Sequence, residues 1–387
     1  MTVSDSSRVL APSTPVVIAA RRTPIGTSGL ALRDVPVADL GTPVLRAVAD
    51  DVGLSDPGHV VLGNCMGPGG NIARVTALAA GFDLATPALT VDLQCGSGLA
   101  AITTACALIR SGTTDAVLAG GAESASTAPW RMWPPANGAE PQRYSRAPFA
   151  PADVGDPEMG VAADDIALRW GIARERQDAY AVRSHSRAAA ARAAGAFDDE
   201  LVPLPRLGHD ERVRDNLRVA TLARLPAAFT EGGTVTVGNA CGINDGAAAV
   251  AMVTEARRRA AGIPGVACLD WETVGVDPNL PGVGPVPAIR NLLQRNDLTL
   301  DSIDVIEINE AFAAQVLACC DELGLDEERV CVEGGALALG HPWGASGAVL
   351  VVRLFSQMVR ADGPRLGLAA IAVGGGQGVA LLVERVG

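Results

Sequence analysis

Val91-Asp92-Leu93-Gln94-Cys95-Gly96-Ser97-Gly98-Leu99-Ala100-Ala101-Ile102 begins where an apolar segment, Ala88 to Val91, ends, and it continues into a run of small and apolar residues up to Arg110. The first part predicts a buried strand and Leu99 to Arg110 a helix, so Cys95 stands at a strand-to-helix hinge. Unpaired N–H groups and the positive end of the helix dipole favour a thiolate there, and Gly96 and Gly98 admit close approach of backbone and substrate. Two readings follow: a nucleophilic cysteine, or a small buried hydrophobe in a helix cap.

Two further stretches bear on that choice. Gly334-Gly-Ala-Leu-Ala-Leu-Gly-His341-Pro-Trp-Gly-Ala-Ser-Gly-Ala348 places one of only four histidines just before a glycine-rich helix start. Asn309-Glu310-Ala311-Phe312 follows the apolar segment Val305 to Ile308, which puts an amide at the C-terminal end of a strand. Ligand-binding and catalytic groups gather at that position in open α/β sheets.

On these residues the chain resembles the thiolase family. The resemblance runs from Ala20-Arg-Arg-Thr-Pro24 through Cys95-Gly-Ser-Gly, Gly238-Asn-Ala-Cys241-Gly-Ile-Asn-Asp-Gly246, Asn309-Glu-Ala-Phe and Gly340-His341-Pro342 to Gly374-Gly-Gly-Gln-Gly378. It implies a thiolase-like α/β fold: two similar, doubly covered mixed-sheet domains in α-β-α-β-α layering, with an inserted loop domain over the site.

Length and composition fit that expectation. At 387 residues the chain exceeds what one core fills, and with 48% hydrophobic but 3% aromatic residues the core must be built from Ala, Val, Leu and Ile. All 31 basic residues are arginine, which excludes a lysine Schiff base. A formal charge of −12 argues against nucleic acid and anionic membrane as partners. Coenzyme A, also an anion, then depends on local helix N-termini and single arginines. Eight cysteines lack any metal-binding or disulfide-framework spacing, so reduced thiols, a cytoplasmic location and no metal are expected. Residues 1 to 15 show no secretory pattern, and the apolar run Gly367 to Val383 is too short and too interrupted by glycine to span a bilayer.

In chain order, the predicted strands Val16–Ala20, His59–Leu62, Ala88–Val91 and Asp115–Gly120 alternate with helical segments, which implies parallel pairing with crossovers. Residues 125–157 carry seven prolines without periodicity. An arginine-rich helix from about Arg174 to Ala194 and another irregular stretch follow. We read 1–124, completed by 244–264, as one half, 125–243 as the inserted domain and 265–387 as the second half. The insert is either a lid and binding wall or an oligomer contact. The second series, with strands at Asp304–Ile308, Arg329–Val332, Leu368–Val373 and Val379–Glu384, repeats the order of the first. It puts Cys95 and His341 at matching places, each after the third strand of its half.

The resemblance implies that Cys95 is acylated by an acyl-CoA or attacks a 3-ketoacyl-CoA, and that His341, as neutral imidazole, takes the thiol proton. It implies one oxyanion hole from His341 and a water held by Asn309, and another from the backbone N–H groups of Cys95 and Gly374. Gly374 to Gly376 otherwise make a tight turn between strands. Arg218 lies near the position of an arginine beside the nucleotide end of CoA, though it reads equally as a solvated side chain. Phe229 and Met159 line the pantetheine tunnel or are ordinary core. The coenzyme A thioester is substrate, no other cofactor is implied, and a homodimer or homotetramer is expected.

Three departures stand out. Ala372 occupies the place of the family's second catalytic cysteine, whose thiol moves the α-proton of the second substrate. Acid–base groups of that kind contribute about 10²- to 10⁴-fold in rate, roughly 2.7 to 5.4 kcal/mol. Glu158 stands where many thiolases have histidine, and Cys241 where the motif has serine; either is a candidate replacement base. Three functions remain open: a thiolase-type acyl-CoA C-acyltransferase, an acyl-CoA hydrolase, and a non-catalytic acyl-CoA-binding relative.

Overall fold

The structure, a computed structural model, describes residues 9–135 and 137–387. The first half contributes β1 (Pro15–Arg22), β2 (Gly26–Thr27), α1 (Val37–Asp50), β3 (His59–Gly63), α2 (Ile72–Ala79), β4 (Ala88–Val91), α3 (Ser97–Arg110) and β5 (Ala116–Ser124). A segment with β6 (Arg131–Trp133), β7 (Gln142–Tyr144), α4 (Met159–Trp170), α5 (Arg174–Ala193) and α6 (Val219–Leu222) follows. The chain then returns through β8 (Asn244–Thr254) and α7 (Glu255–Ala261). The second half holds β9 (Gly265–Gly275), α8 (Pro285–Arg295), β10 (Val305–Ile308), α9 (Ala313–Leu323), α10 (Ala336–Leu339), α11 (Trp343–Phe355), β11 (Leu366–Val373) and β12 (Gln377–Val386).

β4, β3 and β5 are parallel, whereas β8 runs antiparallel between β5 and β1, so the first half-sheet is mixed and not wholly crossover-built. The second repeats the scheme, with β10 parallel to β11 and β12 antiparallel between β11 and β9. The halves meet where β1 pairs with β9 at Val16↔Ala267 and Val17↔Val266. α3 touches β3 and β5 of its own half and β12 of the other, and α11 touches β11 as well as β5 and β8. These two helices are the shared middle layer, with α1 and α2 outside one half-sheet and α8 and α9 outside the other.

That layer is thin because its residues are small. A Cβ on Gly98 of α3 would lie 2.9 Å from the Ala348 nitrogen of α11, and one on Gly121 of β5 would overlap the Gly344 carbonyl. Around this contact Leu99, Ile102, Val349, Val352, Ile371 and Leu381 form one core spanning both halves.

Two expectations need correcting. Residues 329–332 form no strand: a 3₁₀ turn at Glu327–Arg329 leaves a single bridge, Ile306↔Val330, and Cys331 then takes a left-handed φ of 47° that ends any extended run. The third strand preceding His341 is thus reduced to one pair. Within 125–157, the segment read as aperiodic holds the short hairpin β6–β7, on which Trp133 and Tyr144 stack with ring centroids 4.8 Å apart.

The inserted segment is tied down by buried charge. Arg22 at the end of β1 donates to Glu200 (2.7 Å) and forks onto Asp210 (2.6 and 2.9 Å), while Arg353 of α11 and Ser356 also reach Glu200. Burial works to raise the Glu200 carboxyl, and Arg353 and Arg22 overcome it, holding it below the usual range. Removing one partner of such a cluster strands the others in a low-dielectric interior. Glu200→Ala is expected to lower unfolding free energy by about 3–5 kcal/mol in chemical denaturation; a loss under about 1 kcal/mol would show that the clamp is not structural.

Candidate active site

The turn that presents Cys95 is built from short polar bonds. Asp92 accepts the Gln94 N–H (2.9 Å), and Ser97 Oγ accepts from Leu93 N–H (2.8 Å) while donating to the Gln94 carbonyl (2.6 Å). The Cys65 thiol donates to that same carbonyl (3.0 Å). Together they hold Gln94 at φ 46°, a left-handed conformation that costs a residue with a Cβ on the order of 1–2 kcal/mol. The bend sets Cys95 just ahead of α3, partly accessible, with the backbone N–H of Gly374 and its own N–H aimed at the sulfur.

Those donors do not make a resting thiolate. Burial dominates and pushes the Cys95 thiol up to about 12, the two N–H groups opposing it and the carboxylates of Glu123 and Asp92 adding to it. The resting sulfur is therefore held as a thiol, against the expectation of a thiolate: the solvation lost on burial outweighs what a helix start returns.

His341 is buried, its backbone N–H bonded to Asn244 Oδ1 (2.9 Å) and Asn244 Nδ2 to the Gly26 carbonyl (2.9 Å). Its Nδ1 lies 2.6 Å from Ser346 Oγ, which is 3.0 Å from the Pro342 carbonyl. Serine has one hydrogen and a carbonyl has none, so both contacts are satisfied only if Ser346 donates to Pro342 and Nδ1–H donates to Ser346. Nε2 is left with its lone pair and no partner. Burial lowers the His341 pKa to about 4, so the ring is neutral in neutral solution.

Asn309 closes β10 and is buried, its backbone N–H on Ala370. The next residue, Glu310, accepts from Tyr180 (3.1 Å) and Ser184 (2.6 Å) of α5 and from Leu337 N–H (3.2 Å), which fixes the turn against the inserted segment. α9 opens only at Ala313. Over the glycine turn lies Phe149: a Cβ on Gly374 would sit 2.7 Å from its ring and 3.5 Å from Met159 Sδ. A side chain at 374 would thus have to push aside the Phe149 ring above it. Phe229 packs on Gly160 and edge-on to Phe312 (6.1 Å), 44% exposed.

The remaining candidates separate. The Cys241 N–H donates to the Ala311 carbonyl (3.0 Å), beside the Asn309 turn. Glu158 precedes α4, its side chain 69% exposed and paired with Arg146 at 3.3 Å. Arg218 is exposed ahead of α6 and forms no ion pair among the described residues. Motif reading missed Glu123, the one charge ending the apolar strand β5. It is buried and accepts from the N–H groups of Cys65 (3.1 Å), Met66 (3.1 Å) and Gly344 (2.9 Å), joining the turn under Cys95 to the start of α11. Among the described residues no acidic, histidine or cysteine cluster could hold a metal, and no helix is long and apolar enough to cross a membrane.

Because the lowered His341 pKa leaves the base form in place above about pH 4, the rate of Cys95 acylation should stay level from pH 5 to 8 and fall only near pH 4. An acid limb near 6.5 in single-turnover acylation would contradict this. Ser346→Ala, which frees the other tautomer, should slow acylation about fivefold with the fold intact by circular dichroism, the loss of one hydrogen bond being worth about 1 kcal/mol.

Comparison with known proteins finds one family over almost the whole chain. The family models Thiolase, N-terminal domain, and Thiolase, C-terminal domain, match residues 15–256 and 264–385. A putative acetyl-CoA C-acetyltransferase, YhfS, of Bacillus subtilis is 42% identical over 373 residues, covering 95% of this chain and 98% of that one. An acetyl-CoA acetyltransferase of Pseudomonas aeruginosa is 41% identical, covering 96% and 99%. Among solved structures, the Bacillus anthracis acetyl-CoA acetyltransferase superposes with a TM-score of 0.90 at 37% identity, covering 96% and 99%. Human mitochondrial 3-ketoacyl-CoA thiolase in complex with CoA gives 0.90 at 33%, covering 98% and 100%. With both of its halves matched and its relatives covered almost end to end, the chain belongs to the thiolase family.

Proposed function

We propose that this acyltransferase is a thiolase-type acyl-CoA C-acyltransferase working through an acyl group on Cys95, with coenzyme A thioesters as substrates. The observation that carries the reading is that the turn holding Cys95 packs on the second half right beside Gly374, a Cβ on Gly96 lying 2.7 Å from Val373 Cγ2, so that the Gly374 N–H acts on the Cys95 sulfur. An acyl-CoA carbonyl brought to Cys95 would meet these donors as negative charge develops on its oxygen. His341 Nε2 takes the thiol proton as sulfur attacks, then returns it to the departing CoA sulfur. Asn309 is assigned to the water completing the second oxyanion site. Met159, Phe149 and Phe229 are assigned to the wall of the pantetheine tunnel, Arg218 to the nucleotide end, and the exposed apolar residues Val75, Leu78 and Leu89 of α2 and edge strand β4 to a homodimer face.

Ala372 favours a second reading. It lies on β11 opposite Gly378 and is partly accessible, so a methyl group faces the place where the family has a thiol. If nothing replaces that thiol, the acyl-enzyme forms but is released to water, and the protein is an acyl-CoA hydrolase.

Incubation with acetyl-CoA and with acetoacetyl-CoA, following covalent mass, free CoA and carbon–carbon bond change separately, distinguishes these. A mass gain on Cys95 with carbon–carbon cleavage or formation supports the acyltransferase, and steady CoA release without it selects the hydrolase. Cys95→Ser should abolish labelling; a label persisting on another cysteine would remove Cys95 from its role. Ala372→Cys should raise thiolysis by about 10²- to 10⁴-fold if the thiol at that position is the only group wanting; an unchanged rate would show that another group already does its work.

A further inference from the structure

The segment Asn239–Asn244 touches both the turn after Asn309 and the turn at His341. The Ala313 N–H donates to the Asn239 carbonyl (2.9 Å), Ala240 bridges Phe312, and the Cys241 N–H donates to Ala311, so this segment lies as an extra extended strip along the turn that follows Asn309. Three residues on, the Asn244 side chain holds the backbone of His341. Cys241 is therefore pinned between the Asn309 turn and the His341 turn, near enough to Cys95 that a negative charge on that sulfur would raise its own thiol. His341 Nε2 is likewise buried and without a partner.

Beside Cys241 lies an arginine that no carboxylate among the described residues neutralises. Arg212 Nη2 donates to the Ala240 carbonyl (3.3 Å), and a Cβ on Gly242 would sit 2.8 Å from Nη1, so the guanidinium lies along the backbone on both sides of Cys241. Its Nε is buried without a partner, and among the described residues it forms no ion pair. Composition does not explain this, since the chain has 43 acidic residues to 31 basic, and the buried Arg22, Arg258 and Arg353 all hold carboxylates. The charged or titratable groups around Arg212 are Cys241, Arg214 with the same sign as its own, and the His185 imidazole, which burial, with Arg212 and Arg214, lowers to about 4 and so keeps neutral. Those acting on Cys241 are Arg212, Cys95 and Glu310. A half-buried cation without an anion is costly unless an anion forms there during the reaction.

We propose that Cys241 and Arg212 form the acid–base unit that replaces the thiol absent at Ala372, with Cys241 the catalytic acid of thiolysis and Arg212 its positioning and charge-stabilising partner. This rests on the acyl-enzyme reading above. Cys95 gives its proton to His341 Nε2 and its sulfur attacks the 3-keto carbon. The bond between that carbon and Cα breaks, its electron pair passing to Cα of the departing thioester. The Cys241 S–H delivers its proton to that carbon and becomes a thiolate facing Arg212. Coenzyme A thiol then attacks the acyl group on Cys95, its proton going to the Cys241 thiolate, while the Cys95 sulfur leaves and recovers its proton from His341. Burial, opposed chiefly by Arg212, holds the Cys241 thiol at about 12 in the empty site, so it enters the cycle carrying the proton this step consumes.

The same acetyl-enzyme forms from two donors, and only one route requires protonation of carbon. With acetyl-CoA the leaving group is sulfur; with acetoacetyl-CoA it is an enolate. In single turnover, Cys241→Ala and the near-isosteric Cys241→Ser are expected to slow acylation from acetoacetyl-CoA at least about 100-fold more than acylation from acetyl-CoA. Arg212→Gln should move the alkaline limb of the acetoacetyl-CoA reaction upward and slow that reaction more than the acetyl-CoA reaction, with Arg212→Lys restoring both. Retention of both rates in both Cys241 variants overturns the proposal, as does equal slowing with both donors, which would mark Cys241 as structural. Absence of an acyl group on Cys95 from either donor overturns the acyl-enzyme reading and this one with it.

Discussion

Everything in this molecule hangs on how closely α3 and α11 approach. Two helices with ordinary side chains lie about 8–10 Å apart. Here glycine and alanine line the seam, and Gly98 rests against the backbone of Ala348. The turns that start these helices carry Cys95 and His341, so a layer thick enough for leucine would drive the two halves apart at the place where their chemistry has to meet. The large aliphatic residues sit farther along the same helices and around them, where Leu99, Ile102, Val349 and Val352 bury enough area to make the thin contact tolerable.

Charge does a different task at the rim. Arg22, Glu200, Asp210 and Arg353 join β1, the inserted segment and α11, and Glu310 joins the Asn309 turn to α5 and α10. An apolar replacement of similar volume could match such clusters in stability, but not in direction. A guanidinium fork accepts a carboxylate in few orientations, so the insert is held at a fixed angle over Gly374 and its wall residue Phe149 stays in register with the turn beneath.

Much of this was legible in the sequence. The hinge at Cys95, the turn before His341 and the amide at Asn309 were readable because glycine-rich strand-to-helix junctions are local events, written in consecutive residues. Glu123 and Asn244 were not, because their partners lie up to 221 residues away and nothing near either in the chain shows what it holds. The strand expected at residues 329–332 failed for a related reason: apolar residues suit an edge pair, but the left-handed Cys331 permits only one bridge. The thiolate expected at Cys95 failed on magnitude. A helix start is visible in sequence, while the burial that outweighs it depends on what the inserted segment and the second half place above the sulfur.

That last failure carries a consequence for catalysis. Burial drives the Cys95 thiol up and the His341 imidazolium down, so both effects keep the proton on sulfur until an electrophile arrives. An enclosed neutral pair costs little to desolvate, whereas a standing thiolate–imidazolium pair would pull in water or a counterion. In the proposed mechanism the backbone N–H groups of Cys95 and Gly374 then gain most of their value when the acyl oxygen takes on charge, since little negative charge precedes it in the resting site. Interactions that strengthen only in the transition state accelerate the chemical step, and those already satisfied in the ground state do not. The same reasoning applies to Arg212, whose lack of an anion at rest is what allows it to favour the step that creates one.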